Sequence, residues 1–310
     1  MQAALIQQAL LSGAEAAWLL PVFSYADWLL LREQGKLPPQ ADYIRANSRE
    51  ELPEANALLL LLKAYAPLCE KTVSGYYLAS QQSYCIAREL IQRFTADGIP
   101  AGMARVPLRL YALKAGLGTC LHNGLLAIAP FGTRFALQGI LVRVPEPPEE
   151  QTALPAKNNC ALCLKCVSAC PVSAIGPDGF HWEKCLRTYM ENEPMPLWVK
   201  ENLFTLLGCE CCQTVCPRNA GLSSRAMTEE EAKAFSLDRL LAGEQKEALS
   251  LIGKNQKKNG KLMAQAACIA ANTGRNDLLG QLTACLSLPL SALQKDSINY
   301  AISVLKNKKR

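Results

Sequence analysis

Residues 160–171 read CALCLKCVSACP, and residues 208–217 read GCECCQTVCP. The first stretch spaces four cysteines as C-x2-C-x2-C-x3-C-P, and the second repeats the end of that pattern as C-x2-C-x3-C-P. Short turns of this spacing let one loop supply three thiolates to a [4Fe–4S] cluster, while the fourth ligand comes from elsewhere in the chain. The two stretches therefore predict a pair of [4Fe–4S] clusters.

The ligands are assigned from the way two-cluster ferredoxins share cysteines, in which the fourth cysteine of each run ligates the other cluster. The second run lacks a first cysteine, so Cys185 is needed to complete its set, while Cys211 is a bystander because the spacing is satisfied without it. Structural zinc is the alternative, although zinc sites use separated C-x2-C pairs. The predicted sets are Cys160, Cys163, Cys166 and Cys216 for the first cluster, and Cys170, Cys185, Cys209 and Cys212 for the second.

Composition limits the class of protein. The chain has 310 residues, half of them apolar, which is enough for more than one globular domain. No apolar run is long enough to span a bilayer, and the N-terminus lacks the basic segment of a signal peptide, so we expect a cytoplasmic protein without a membrane segment. That compartment keeps thiols reduced, so the fourteen cysteines favour metal ligation over disulfides. The remaining cysteines, which lie outside the two runs and in neither ligand set, are predicted to be buried small hydrophobes: Cys69, Cys85, Cys120, Cys268 and Cys285.

Positive charge is concentrated at the C-terminal end. The net charge is +6, and residues Lys254 to Arg310 contain ten Lys or Arg against two Asp or Glu, a local balance of +8 that leaves about −2 elsewhere. A concentrated basic face suits a polyanion such as tRNA, because phosphate contacts supply most of the salt-sensitive binding energy. A solvated lysine-rich surface is the equally open alternative.

The pattern predicts an α+β/α multi-domain architecture. Residues 1–144 form an α/β sheet domain, 145–156 a proline-rich linker, 157–220 a ferredoxin-like cluster module and 221–310 a basic domain of HEAT-like helical repeats. In the first domain the predicted helices are Gln2–Leu11, Tyr77–Ala96 and Pro107–Ala115, and the strands are Ala16–Val22, Ala57–Tyr65, Leu125–Ala129 and Ala136–Val144. The predicted C-terminal helices are Glu229–Leu241, Glu244–Ile252, Lys261–Thr273, Asp277–Leu286 and Ser291–Leu305.

A glycine-rich turn, KAGLGTCLHNGLL over residues 114–126, lies between a predicted helix and a predicted strand. Glycines let backbone amides approach a ligand closely. The turn has neither the G-x-G-x-x-G fingerprint nor the phosphate loop of nucleotide-binding proteins, so it does not predict a nucleotide site.

The order of this turn, the Phe131-Gly132-Thr133 segment, the cysteine runs and the helical tail resembles the epoxyqueuosine reductase family. The resemblance implies an iron–sulfur oxidoreductase that uses a base-off cobalamin, two [4Fe–4S] clusters and a low-potential electron donor to reduce an epoxide in tRNA. It implies that the first domain holds the cobalamin and that the clusters supply its electrons. The implied cobalamin contacts are Gly116, Gly118, His122 and Asn123.

The chain departs from the family where the catalytic acid is expected. The family places an Asp ahead of the Gly-Leu-Gly turn, and the corresponding position here is Ala104 or Gly102, neither of which can donate a proton. General acid catalysis typically contributes 10²–10⁴-fold, so the parent reaction needs another donor, for which Tyr84 and His122 are weak candidates. We therefore expect a divergent member that reduces a tRNA-borne or other substrate.

Two other functions fit the same sequence. A ferredoxin-like electron carrier without cobalamin would use the clusters alone. An RNA-binding protein with structural clusters would use the basic helices. Binding of cobalamin separates the first hypothesis from the second, and salt-dependent RNA binding tests the third.

Overall fold

A computed structural model describes residues 1–23, 44, 50–149 and 160–307 of the chain. The first half is built on a four-stranded sheet in the order β1-β2-β6-β3, and every neighbouring pair is antiparallel. The described part of the domain is therefore α+β, because none of its strand pairs is parallel. Its strands are β1 Ala16–Pro21, β2 Ala57–Ala64, β3 Ala101–Met103 and β6 Phe135–Val142. Its helices are α1 Gln2–Leu11, α2 Gly75–Ala96 and α3 Leu108–Lys114.

Strand β2 is the centre of the sheet and is buried on both faces. Leu59 and Leu61 pack with α1 and α2 residues such as Leu90, whereas Leu58 and Leu60 point to the other face, toward α3. Successive side chains of a strand point to opposite faces, so an unbroken run of leucines suits a strand covered on both sides. The predicted strand and both flanking helices are thus confirmed.

The predicted strand Leu125–Ala129 is wrong as a member of this sheet. The structure has a short hairpin instead, in which β4 Thr119–Cys120 pairs with β5 Leu126–Ala127. The backbone at Gly118 lies so close to this hairpin that a Cβ there would overlap the Ala127 carbonyl oxygen. Strand β5 has only two residues, pairs with β4 alone and does not join the main sheet. A second hairpin pairs β7 Ile175–Gly176 with β8 Gly179–Phe180.

The second half of the chain is helical. Its helices are α4 Cys160–Cys163, α5 Lys165–Ala169, α6 Leu186–Tyr189, α7 Leu197–Glu201, α8 Cys211–Thr214, α9 Glu229–Ala234, α10 Leu237–Leu241, α11 Lys246–Ile252, α12 Lys261–Asn272, α13 Leu279–Cys285 and α14 Ala292–Asn307. The predicted helix Glu229–Leu241 is interrupted between α9 and α10, where Ser236 lies in extended backbone. The other four predicted C-terminal helices are present within a few residues of their expected ends.

One apolar core joins the C-terminal helices to earlier parts of the chain. Leu262 and Ala266 of α12 belong to the same buried cluster as Val73, Leu186 and Leu206. The core is therefore continuous across the predicted boundary at residues 220/221. The boundary and the HEAT-like repeats stay predictions, and the linker prediction lies mostly outside the described residues.

Three cysteines differ from expectation. Cys268 and Cys285 are buried as predicted, but Cys69, Cys85 and Cys120 are exposed. Cys85, for example, lies on the outer side of α2, whereas the next residue, Ile86, lies on its buried side. Apolar neighbours in sequence do not determine which face of an element a residue occupies. None of the helices in the described part of the chain has both the length and the apolarity needed to cross a membrane.

Candidate functional site

Each predicted cysteine set lines a cavity of its own. Cys160, Cys163, Cys166 and Cys216 border a cavity of about 390 Å³, which we call the first cavity. Cys170, Cys185, Cys209 and Cys212 border a second cavity of about 470 Å³. The chain thus brings Cys216 from the second run to the first set and Cys170 from the first run to the second set, which is the exchange that two-cluster ferredoxins show.

The thiol groups of each set also influence one another. Burial, followed by the nearby Cys216 and Cys160 thiolates, raises the pKa of Cys166. Burial, followed by the Cys185 thiolate, raises the pKa of Cys212 to about 12. These cysteines are therefore protonated at neutral pH in the metal-free protein, and metal binding must release their protons.

Backbone amides point at several of the sulfurs. The Ala174 N–H donates to the Cys170 sulfur at 3.1 Å. Cys185 receives backbone hydrogen bonds from Arg187 and Thr188 at the start of α6, and Cys216 receives one from Arg218. Hydrogen bonds of this kind stabilise a thiolate and tune the potential of a cluster that it holds.

Cys211 is outside both sets but contacts one of them. Its hydrogen bond with Cys209 raises the pKa of Cys209 and lowers the pKa of Cys211 to about 6. Cys211 borders the second cavity and also a larger one of about 780 Å³ on the other side of the run.

A single metal ion and a [4Fe–4S] cluster need different spacings of their ligands. Among the described residues, no three His, Cys, Asp or Glu side chains are grouped as the ligands of one metal ion. A tetrahedral zinc site requires that convergence. A [4Fe–4S] cube places each thiolate on a different iron, so its four sulfurs lie further apart. Both cysteine sets stay predictions as cluster ligands.

The turn over residues 121–125 joins the cavities. His122 borders the first cavity and a third cavity of about 490 Å³, which Arg109, Gly124 and Asp178 also line. The His122 Nε2 lies 2.7 Å from the Gly176 carbonyl oxygen. Because a carbonyl only accepts, Nε2 carries the proton in this contact, and the ring is tied to the β7–β8 hairpin.

The other residues implied to contact cobalamin are divided between two places. Asn123 borders both cysteine-lined cavities. Gly116 and Gly118 border none of the three cavities, and Gly118 is explained by its packing against β5. The two candidate acids are also separated from each other. His122 borders two of the cavities, whereas Tyr84 is exposed on α2 and borders none of the three.

Sequence reasoning missed several residues of the site. Phe180 and Asp178 come from the β7–β8 hairpin, and Trp182 follows it. A Cβ at Gly124 would overlap the Phe180 ring, so this glycine allows the turn and the hairpin to meet. No motif marks these residues, since the hairpin is brought to the turn only by tertiary packing.

The fold and the cysteine sets define a class, an α+β sheet domain joined to a cysteine-rich helical half. No family model matches the chain. Epoxyqueuosine reductase from Lactococcus garvieae is 36% identical over 123 residues, covering 39% of this chain and 34% of that protein. The one from Bacillus cereus is 25% identical over 210 residues, covering 60% and 54%. The sequence match thus spans about a third to a half of these relatives.

Solved structures match over nearly the whole chain. An epoxyqueuosine reductase from Bacillus subtilis superposes with a TM-score of 0.76 at 19% identity, covering 98% of this chain and 90% of that one. Another, solved with an epoxyqueuosine-modified tRNA-Tyr stem loop, has a TM-score of 0.70 at 19% identity and covers 98% of both chains. The chain is therefore similar to epoxyqueuosine reductases in part of its sequence and in its fold, in line with the resemblance seen in its sequence.

Proposed function

We propose that the chain is an iron–sulfur oxidoreductase in which two [4Fe–4S] clusters pass electrons to a corrinoid for the reduction of a tRNA-borne or related substrate. The observation that carries this proposal is the pairing of each predicted cysteine set with its own cavity. Adjacent clusters form an electron relay, and the family's epoxide reduction needs such a supply.

The described residues suggest how each group is held. Lys165 and Arg218 border the first cavity, where their positive charges oppose the negative charge of a thiolate-bound cluster. His122 and Arg109, which border the third cavity, would contact part of a corrinoid. When bound, it supplies a cobalt centre that carries electrons to the substrate. The hydrogen bond from His122 Nε2 to the Gly176 carbonyl engages the Nε2 proton and holds the ring in place. The role of His122 would therefore be to orient the site.

Among the described residues that border this cavity, the family's acid has no equivalent. Ala104 is buried in the core, and its backbone N–H donates to the Gly139 carbonyl at 3.0 Å. Gly102 lies in β3, opposite Leu141. Asp178 does border the third cavity, but its hydrogen bond with His181 lowers its pKa, so it is a carboxylate with no proton to give. We propose a divergent member whose substrate differs from the family's epoxide or brings its own proton source.

A lysine-rich surface supports tRNA as the partner. Lys254, Lys257 and Lys258 are exposed on a short 3-10 segment that packs against α14, where Lys295 is also exposed. We call these four residues the lysine face. Other basic residues of the tail are neutralised by pairing, such as Lys261 with Glu191 and Arg275 with Asp277. The lysine face therefore provides the free positive charge that phosphates require.

Anaerobic reconstitution followed by cobalamin titration tests the proposal. We expect about eight iron and eight sulfide per chain, as two [4Fe–4S] clusters require. We also expect the visible spectrum of a bound corrinoid after gel filtration. Full clusters without corrinoid would reject the reductase and leave the electron carrier. Drug-sized ligands already need cavities of about 300–1,000 Å³, and a corrinoid is larger than such a ligand. The cavities that the described residues form are therefore small for a corrinoid, which supports the electron carrier.

A further inference from the structure

Asn123 has a buried donor without a partner. Its side chain is 4% exposed, and its Oδ1 accepts a hydrogen bond from the Leu125 N–H at 3.2 Å. Its Nδ2 is fully buried and has no hydrogen-bond partner among the described residues. A buried donor left unpaired costs about 1–3 kcal/mol, so a missing acceptor is expected beside it.

The orientation of this amide is determined by its surroundings. If the oxygen and nitrogen were exchanged, Nδ2 would face the Leu125 N–H, and two donors would meet. The free N–H groups of Asn123 therefore point away from the turn.

The position of Asn123 indicates what the acceptor is. Of the described residues, it alone borders both the first and the second cavity. The first cavity is bordered by four cysteines and the second by five, including Cys211, so the group nearest to Nδ2 in the loaded protein would be a cluster with sulfide and thiolate sulfurs. Sulfur accepts hydrogen bonds from amides, as the Ala174 N–H to Cys170 contact shows.

We propose that Asn123 lies between the two clusters and donates its Nδ2–H to a cluster sulfur, acting as a positioning residue that sets the potential of the relay. The inference rests on the proposed function, because it requires the clusters. It assigns to Asn123 a role different from the cobalamin contact that the family resemblance implies. A donor at this position stabilises the more negative, reduced cluster and so raises its midpoint potential.

The test compares midpoint potentials of reconstituted wild-type protein and Asn123→Leu in an EPR-monitored redox titration. Leucine has nearly the same size but has no donor. We expect at least one cluster of the variant to be about tenfold harder to reduce, which is a shift of about −59 mV for one electron.

Asn202→Leu is the matched control. The Asn202 side chain borders the large cavity on the other side of the run and donates to the Trp198 carbonyl at 2.9 Å. Its amide is already satisfied, so its loss should leave both potentials unchanged.

The outcomes separate this inference from the proposed function. Wild-type protein that holds no cluster overturns both. Both clusters present with unchanged potentials in Asn123→Leu overturn the inference alone, and so does loss of cobalamin uptake without a shift in potential. If the variant does not load clusters, electron–nuclear double resonance on wild-type protein containing 15N-asparagine decides. A 15N coupling to a reduced cluster supports the hydrogen bond, and its absence overturns it.

Discussion

Replacing Arg134 should weaken the link between the sheet domain and the second cysteine run. The Arg134 side chain is 3% exposed, and its Nη1 lies 2.7 Å from Oε2 of Glu210, the residue between Cys209 and Cys211. The Ser74 hydroxyl donates to the other oxygen of Glu210 at 2.6 Å. The ion pair thus holds the backbone that carries two cysteines.

Arg134→Met leaves the Glu210 carboxylate, whose side chain is 15% exposed, without its cation. Breaking a buried pair in this way costs about 3–5 kcal/mol. For domains of about 150–250 residues, each kcal/mol lowers Tm by roughly 2–4 °C. We therefore expect a fall in Tm of about 6–20 °C and preferential loss of iron from the second cluster, measured by circular dichroism and iron analysis under anaerobic conditions.

Two variants provide the comparison for Arg134→Met. Arg105→Met breaks a pair with Glu51 in which the arginine side chain is 54% exposed, so it should cost at most about 1 kcal/mol. The double variant Arg134→Met/Glu210→Gln removes both buried charges and should regain part of the loss. If Arg134→Met has the same Tm as Arg105→Met and keeps all of its iron, this reasoning is refuted.

Three more outcomes are expected, which concern the cluster ligands, the lysine face and the ion pair between Arg225 and Glu231. Cys216→Ser should remove the first cluster although it lies in the second run, whereas Cys211→Ser should keep about eight iron per chain, as counted by iron analysis. Exchanging the lysine face for glutamine should reduce the salt dependence of tRNA binding by about one slope unit for each phosphate that is no longer neutralised, and an unchanged slope would show a solvated surface only. Glu231→Gln should lower Tm at pH 7, because the Arg225 hydrogen bond lowers the pKa of Glu231. A lowered carboxyl pKa stabilises the fold above the unfolded value and loses this effect as pH falls through the folded value, so the variant and wild type should converge in melts of cluster-free protein once the pH is below the lowered pKa of Glu231.

The structure also changes how RNA binding should be tested. Deleting the residues after about 225 would remove Leu262 and Ala266 from a core that they share with Val73 and Leu206. Loss of RNA binding after such a deletion would reflect unfolding as much as the removal of charge. Substitutions on the lysine face keep the core and remove only the charge.

The sequence by itself determined the features that depend on short-range pattern. The run of leucines in β2 and the spacing of apolar residues in α2 predicted a strand and a helix, because side-chain direction repeats every 2 or 3.6 residues. The cysteine sets were also predicted from local spacing, since three ligands of the first set and two of the second lie within a few residues of one another. The loss of the family's acid, at Ala104 or Gly102, stays a prediction from the same kind of pattern.

Only the tertiary structure decided which residues meet across the chain. It placed Asn123 between the two cysteine-lined cavities and brought Phe180 against Gly124. It also showed that Cys85 faces outward and that the C-terminal helices share a core with the middle of the chain. These contacts join residues far apart in sequence, and no local periodicity encodes which partner a buried face or an unpaired amide will find.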